Sequence, residues 1–285
     1  MKVKNIQYAG FVNMGGLMVR QPLPTKQVDM LNPFLLLHHH ESDVKKGKKQ
    51  ENVGVGPHPH RGFVPVTFVL EGEVHHRDSL GNDSIVTKHG TQWTESGNGI
   101  IHSERPSQSF LDEGGKYEII QLWINTPAEM KLNAPRYQAV DYETAEKLVS
   151  SETELIVYSG EVNGKSGSIK TQFPINSAVG ISKENAEVEI NISKNHQVLL
   201  YVIEGDIEVG GTLVKQHNLV ALENDGEALK FVSKTNSRYL IVSAEPIDEP
   251  VATYGPFVMN TEFELQEAMH DFQNGKMGDL IETFD

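Results

Sequence analysis

Two stretches of this chain read alike: Phe68-Val69-Leu70-Glu71-Gly72-Glu73-Val74 and, 133 positions later, Tyr201-Val202-Ile203-Glu204-Gly205-Asp206-Ile207. Each is an aromatic residue, two aliphatics, Glu-Gly, an acid and an aliphatic. The Glu-Gly step is turn chemistry between the strands of a hairpin, with glycine supplying the positive φ. In a chain of 285 residues this spacing points to a duplicated β-domain. Short apolar runs elsewhere (Val64–Leu70, Tyr117–Ile124, Val198–Ile203, Tyr239–Val242) are bounded by Gly, Asn, Asp and Pro. That is the pattern of sandwiches and barrels. Helical patterning is confined to Asp141–Val149 and Thr261–Phe272. In the second, Thr261 and Glu264 fit a capping box and Gly275 stops the helix. Its Phe263, Leu265 and Met269 face is expected to pack on a barrel. The fold expected is all-β, two tandem barrels with a short C-terminal helix, divided into 1–135 and 136–285.

Composition narrows the chemistry. There is no cysteine, so thiolate nucleophiles, disulfides, zinc ribbons and iron–sulfur clusters are excluded, and any metal must sit on His, Asp or Glu. The net charge of −14 opposes contact with phosphate backbones, and the one basic run, Lys45-Lys46-Gly47-Lys48-Lys49, reads as a solvated loop. No apolar run is long enough for a membrane span and no secretory signal is recognisable, so the expectation is a cytoplasmic protein binding neither nucleic acid nor membrane.

Histidines 38, 39, 40, 58, 60, 75, 76, 89 and 102 account for all but three of the chain's 12. Within this cluster His58-Pro59-His60 is an H-x-H, whose imidazoles share a face in an extended strand. Pro59 fixes its own φ and biases His58 to the β region. His102-Ser103-Glu104 is an H-x-E of the same period. Adjacent strands carrying these pairs would present His58, His60, His102 and Glu104 to one point, a shell suited to a divalent first-row metal with positions left open. At the 133-residue offset His58 and His60 fall on Asn191 and Ser193, so the later copy is expected to lack the site.

Several motifs together resemble the pirin family: Pro57-His58-Pro59-His60-Arg61-Gly62-Phe63, Leu70-Glu71-Gly72, His76-Arg77-Asp78-Ser79-Leu80-Gly81, Gln92-Trp93, Gly97-Asn98-Gly99-Ile100-Ile101-His102-Ser103-Glu104 and Gly255-Pro256-Phe257-Val258-Met259-Asn260-Thr261. The resemblance runs from about residue 20 to 278. It implies a bicupin, two cupin-type barrels with one iron, Fe(2+), in the N-terminal barrel on His58, His60, His102 and Glu104. Ni, Cu, Mn or Zn would also suit that shell. It further implies one of two functions. The first is a dioxygenase that opens a flavonol such as quercetin with O2 and releases CO, with Glu104 as ligand or as the base that takes the substrate proton. The alternative is a non-enzymatic, redox-sensing iron protein that docks on a protein partner. A cupin isomerase or decarboxylase is a third chemistry the fold allows.

The chain departs from the family where Thr94-Glu95-Ser96-Gly97 follows Gln92-Trp93, placing the charge of Glu95 near the metal-bearing strands, and where His38-His39-His40 follows Leu37. His38, His39 and His40 read as strand-end and surface residues near a barrel mouth. His75 and His76 alternate across a strand as structural residues, His89 is a solvated turn residue, and Trp93 fills the core.

Overall fold

The computed structural model describes residues 1–284. The chain begins with β1 (Val3–Tyr8), β2 (Gly10–Met14), β3 (Leu17–Leu23) and β4 (Phe34–Val44). There follow β5 (Val55–His60), β6 (Phe63–Glu71), β7 (Glu73–Asp78), β8 (Asp83–Thr87), β9 (Thr91–Glu95), β10 (Ile100–Pro106), helix α1 (Gln108–Glu113), β11 (Gly115–Asn125) and β12 (Arg136–Val140). The later part holds β13 (Glu146–Val149), β14 (Thr153–Ser159), β15 (Glu161–Val162), β16 (Lys165–Ser166), β17 (Ile175–Ser182), β18 (Glu187–Asn191), β19 (Gln197–Glu204) and β20 (Ile207–Val209). It ends with β21 (Thr212–Val214), β22 (Asn218–Leu222), β23 (Ala228–Ser233), β24 (Ser237–Ala244), β25 (Ala252–Tyr254), β26 (Phe257–Met259) and α2 (Glu262–Gln273). Among the described residues no helix is long and apolar enough to cross a membrane.

The strands form two compact units, each made of two chain segments. One comprises Met1–His38 and Glu143–Pro246; the other comprises His39–Tyr142 and the chain from Ile247 onward. The sequence division at 135/136 follows the chain, whereas the units do not. The antiparallel pairing of β1 with β22 ties the first residues into the later unit. The isolated bridge between Arg61 and Phe257 ties β26 into the earlier one.

In the earlier unit a sheet ordered β12-β9-β6-β11-β4 accompanies a four-stranded sheet β5-β10-β7-β8. The later unit repeats the plan: β22-β19-β24-β17 lies within its larger sheet, and its four-stranded sheet is β18-β23-β20-β21. This matching order shows the repeat. The Glu-Gly steps are not hairpins: β6 pairs with β9 and β11, whereas β7 pairs with β8 and β10. Gly72 (φ 82°) and Gly205 (φ 74°) instead carry the chain from one sheet to the other. At Gly205 a Cβ would stand 2.2 Å from the carbonyl oxygen of Asn236, so no side chain fits.

The later unit is filled with aliphatic side chains, among them Leu155, Val188, Ile190, Leu200, Val202, Ile207, Leu229 and Phe231. On β18 the inward positions are Val188 and Ile190, paired with Phe231 and Leu229 of β23. Asn191 and Ser193, the offset counterparts of His58 and His60, are exposed, so the numerical offset slips along this strand.

The C-terminal helix forms as expected, with Thr261 and Glu264 completing the capping box. It buries Leu265 and Ala268, and Phe263 is 66% exposed instead of facing inward. The helix expected over Asp141–Val149 does not form. Glu146–Val149 is instead β13, paired with β14 along Glu146↔Val157 to Val149↔Glu154. A nine-residue helix is marginal without tertiary support, and an available sheet edge offers a full ladder.

Candidate metal centre

The sequence Val55-Gly56-Pro57-His58-Pro59-His60 is extended as β5, the outermost strand of its four-stranded sheet. An edge tolerates two prolines, because their missing N–H groups leave no gap in a central ladder. His58 stands opposite His102 of β10, and His60 opposite Ile100. On the other flank of β10, His102 faces Asp78 and Glu104 faces His76, both from β7. The period of two therefore gathers five chemistry-bearing side chains and His76 on the same face.

The structure brings His58, His60 and His102 together, with one ring nitrogen of each within 4.8 Å of the others. His58 Nδ1 donates to the carbonyl of Gly56 at 2.8 Å, and His60 Nδ1 to that of Pro256 at 3.4 Å. These donations fix both rings as Nδ1–H tautomers, so the two Nε2 lone pairs face each other at 3.1 Å. His102 is buried, and neither of its nitrogens has a protein partner. Burial, then the charges of neighbouring histidines, hold His60 and His102 well below the usual histidine range. Imidazole nitrogens that converge in this way are what a first-row divalent cation requires, so the donor set fits such a metal.

Glu104 lies one step away, its Oε2 4.0 Å from His102 Nε2. Thr67 Oγ1 donates to Oε1 at 2.6 Å, Gln92 Nε2 also donates to Oε1, and Gln121 Nε2 donates to Oε2 at 2.7 Å. Gln121 in turn accepts the indole N–H of Trp123. Three neutral donors fix both oxygens of this buried carboxylate in place. Sequence reasoning missed Thr67 and Gln121. For Thr67 the signal was a lone polar residue inside the apolar run Val64–Leu70; Gln121 shares its strand with Lys116, Glu118 and Asn125 and gave no such signal.

The other singled-out residues find different places. Glu95 is buried and held by Arg136 through two hydrogen bonds of 2.9 Å, which neutralise its charge. His38 and His39 are buried rather than superficial, because β4 is an inner strand. His38 Nε2 bonds Gln21 Oε1 at 2.8 Å, and burial lowers its pKa to about 4. His39, Glu41 and Glu118 form a second group with metal-ligating geometry. There, however, the Lys116 ammonium already sits 3.3 Å from Glu41 and 3.1 Å from Glu118. His75 turns to the other face, bonding Asp83 at 2.6 Å and Gln50 at 3.0 Å. His89 is half-buried, with its ring against Tyr142. Trp93 is fully buried, as expected of a core residue. The Lys45–Lys49 run is exposed.

Comparison with known proteins agrees with this architecture. Residues 16–124 match the family model Pirin, and residues 181–278 match the model of the Pirin C-terminal cupin domain. A pirin-like protein of Caulobacter vibrioides is 33% identical over 273 residues, covering 92% of this chain and 93% of its own. A pirin-like protein of Solanum lycopersicum is 32% identical over 268 residues, covering 92% and 88%. The crystal structure of a quercetin 2,3-dioxygenase from Acinetobacter baumannii superposes with a TM-score of 0.90 at 30% identity, over 98% of this chain and 99% of that one. With cupin-type sheets repeated in both units and family matches over most of its length, the chain belongs to the pirin family.

Proposed function

We propose that the protein is a metal-dependent oxidoreductase of the quercetin 2,3-dioxygenase type. In this reading Fe(2+) is held by His58, His60, His102 and Glu104, and a flavonol is opened with O2 and loses CO. The observation that carries the reading is the convergence of three imidazoles beside a buried carboxylate. The likeness to a solved quercetin 2,3-dioxygenase at 30% identity supports the substrate class.

The metal, when bound, supplies the charge that lowers the pKa of a substrate hydroxyl and holds the reactants together. The chain's own residues do the rest. The carbonyls of Gly56 and Pro256 keep the His58 and His60 lone pairs turned into the site. Thr67, Gln92 and Gln121 hold the Glu104 carboxylate beside His102. The half-buried Trp123, whose ring contacts those of Phe63 and His60, places apolar surface beside the imidazoles.

Quercetin turnover by protein stripped of metal and reloaded with Fe(2+) tests the reading, following flavonol absorbance and CO release in air. Metal-dependent loss of absorbance with CO is expected, and His102→Ala should abolish it together with metal binding. A protein that holds one iron per chain yet leaves quercetin unchanged would overturn the substrate and the activity.

A further inference from the structure

His76 belongs to the same wall as the three imidazoles but is not one of the converging ligands. Its ring centroid is 5.4 Å from that of His102, and it stands opposite Glu104 in the β7–β10 register. Tyr137 stacks on it at 3.9 Å with 10° between the planes. His76 Nε2 lies 2.9 Å from Asp78 Oδ2, and both side chains are completely buried. Asp78 is itself fixed by the backbone N–H groups of Leu80 and Asn82 and by the Asn82 amide. With so many donors the carboxylate stays charged, so the bond from His76 is a donated Nε2–H. In the neutral ring this donation leaves Nδ1 as a lone pair, and Nδ1 is buried without a hydrogen-bond partner among the described residues.

Gln92 repeats the situation on the opposing sheet. Its amide nitrogen is committed to Glu104, which leaves Oε1 as another buried acceptor without a donor. A buried acceptor left unmade costs about 1–3 kcal/mol. Two of them bordering one carboxylate are best explained by a ligand that brings the donors. Both accept, so a ligand that pairs them brings hydrogen-bond donors, as a polyhydroxylated molecule does.

We propose that His76, oriented by Asp78, is the hydrogen-bond acceptor that seats a hydroxyl of the small molecule bound beside the His58–His60–His102 cluster, with Gln92 Oε1 accepting from a second. Glu104, already occupied by Thr67, Gln92 and Gln121, does not take this part. The inference rests on the reading that the centre binds a hydroxylated small molecule, and it names the residues that select one.

The test uses the metal-loaded full chain and two probes, quercetin and 4-nitrocatechol, each compared with its methyl ether at a hydroxyl that does not coordinate the metal. His76→Phe keeps the ring stacked on Tyr137 and removes the acceptor; His76→Gln restores an acceptor. Metal content, measured by elemental analysis, should be unchanged in both. His76→Phe should weaken binding of the hydroxylated probes about tenfold relative to their ethers, and His76→Gln should recover part of the loss. Equal weakening of probe and ether, or no weakening, would overturn the role of His76. Binding of 4-nitrocatechol without quercetin would remove the flavonol and leave the His76 comparison decisive. If the loaded protein binds neither probe, both readings fall.

Discussion

His58 Nε2 lies 3.1 Å from His60 Nε2, and each ring donates its Nδ1–H to a carbonyl. Two lone pairs this close repel each other, so the unloaded pair opposes folding and a shared cation relieves it. Adding a divalent first-row metal to stripped protein should raise the melting temperature, by the equivalent of about 2.7 kcal/mol at a hundredfold excess over Kd. His102→Ala should lose most of the shift. Calorimetry with metal and with chelator decides it, and identical curves would count against a metal centre here.

Arg105, next to Glu104 on β10, grips Glu282 through Nε to Oε1 at 2.8 Å and Nη2 to Oε2 at 2.7 Å. Its remaining Nη1 donates to the carbonyls of Gln50, Glu51 and Val53. Both partners are nearly inaccessible, so Glu282→Ala strands a buried guanidinium charge. A loss of about 3 kcal/mol in urea unfolding is expected. A loss under about 0.5 kcal/mol, the scale of an exposed pair, would show that the C-terminal segment is not latched there.

Burial lowers the His38 pKa from 6.5 to about 4. The unfolded chain takes up this proton near pH 6.5, while the folded chain refuses it until about pH 4. Stability is therefore full above 6.5, is lost as pH falls from 6.5 towards 4, and levels off below. The loss from this residue is at most about 3 kcal/mol. In metal-loaded protein, the difference in stability between wild type and His38→Gln should change across this window and stay flat above pH 7. A pH-independent difference would mean that His38 does not titrate differently on folding.

Tyr239 stands directly opposite Gly180 in the β17–β24 pairing and lies over it, so that a Cβ on Gly180 would come within 2.0 Å of the ring. Gly180→Ala should cost about 2 kcal/mol or more by displacing a fully buried tyrosine. Unfolding of Gly180→Ala/Tyr239→Leu should cost less than the sum of the single changes, and strict additivity would show that the two sites do not press on each other.

Much of this structure was legible in the sequence. The Glu-Gly steps located equivalent places in the two units because glycine alone fits the chain's passage there, although the same dipeptide cannot say whether the next strand pairs locally or crosses to another sheet. His58, His60 and His102 were legible because a period of two is local information. Gln121, Thr67 and the Asp78 hold on His76 were not, since their meaning depends on which strands become neighbours. The strand at Glu146–Val149 was misread as helix for the same reason: its partner, β14, is a tertiary fact that outweighs local propensity. The slip that puts Val188 and Ile190 inward was equally invisible, because a shift of register leaves no mark in composition.

The pairing of β1 with β22 has a consequence for how the chain is made. Val3 meets Leu222, and Tyr8 meets Asn218, so β1, once it leaves the ribosome, must wait for more than two hundred residues before its hydrogen-bonding partner exists. The earlier unit waits as well, since α2 and the bridge at Phe257 come from the end of the chain. Closing such long loops is slow. Neither half can finish on its own during synthesis. A fragment cut at the middle of the sequence would carry one open barrel and leave β1 without β22, so the two units have to be expressed and engineered together.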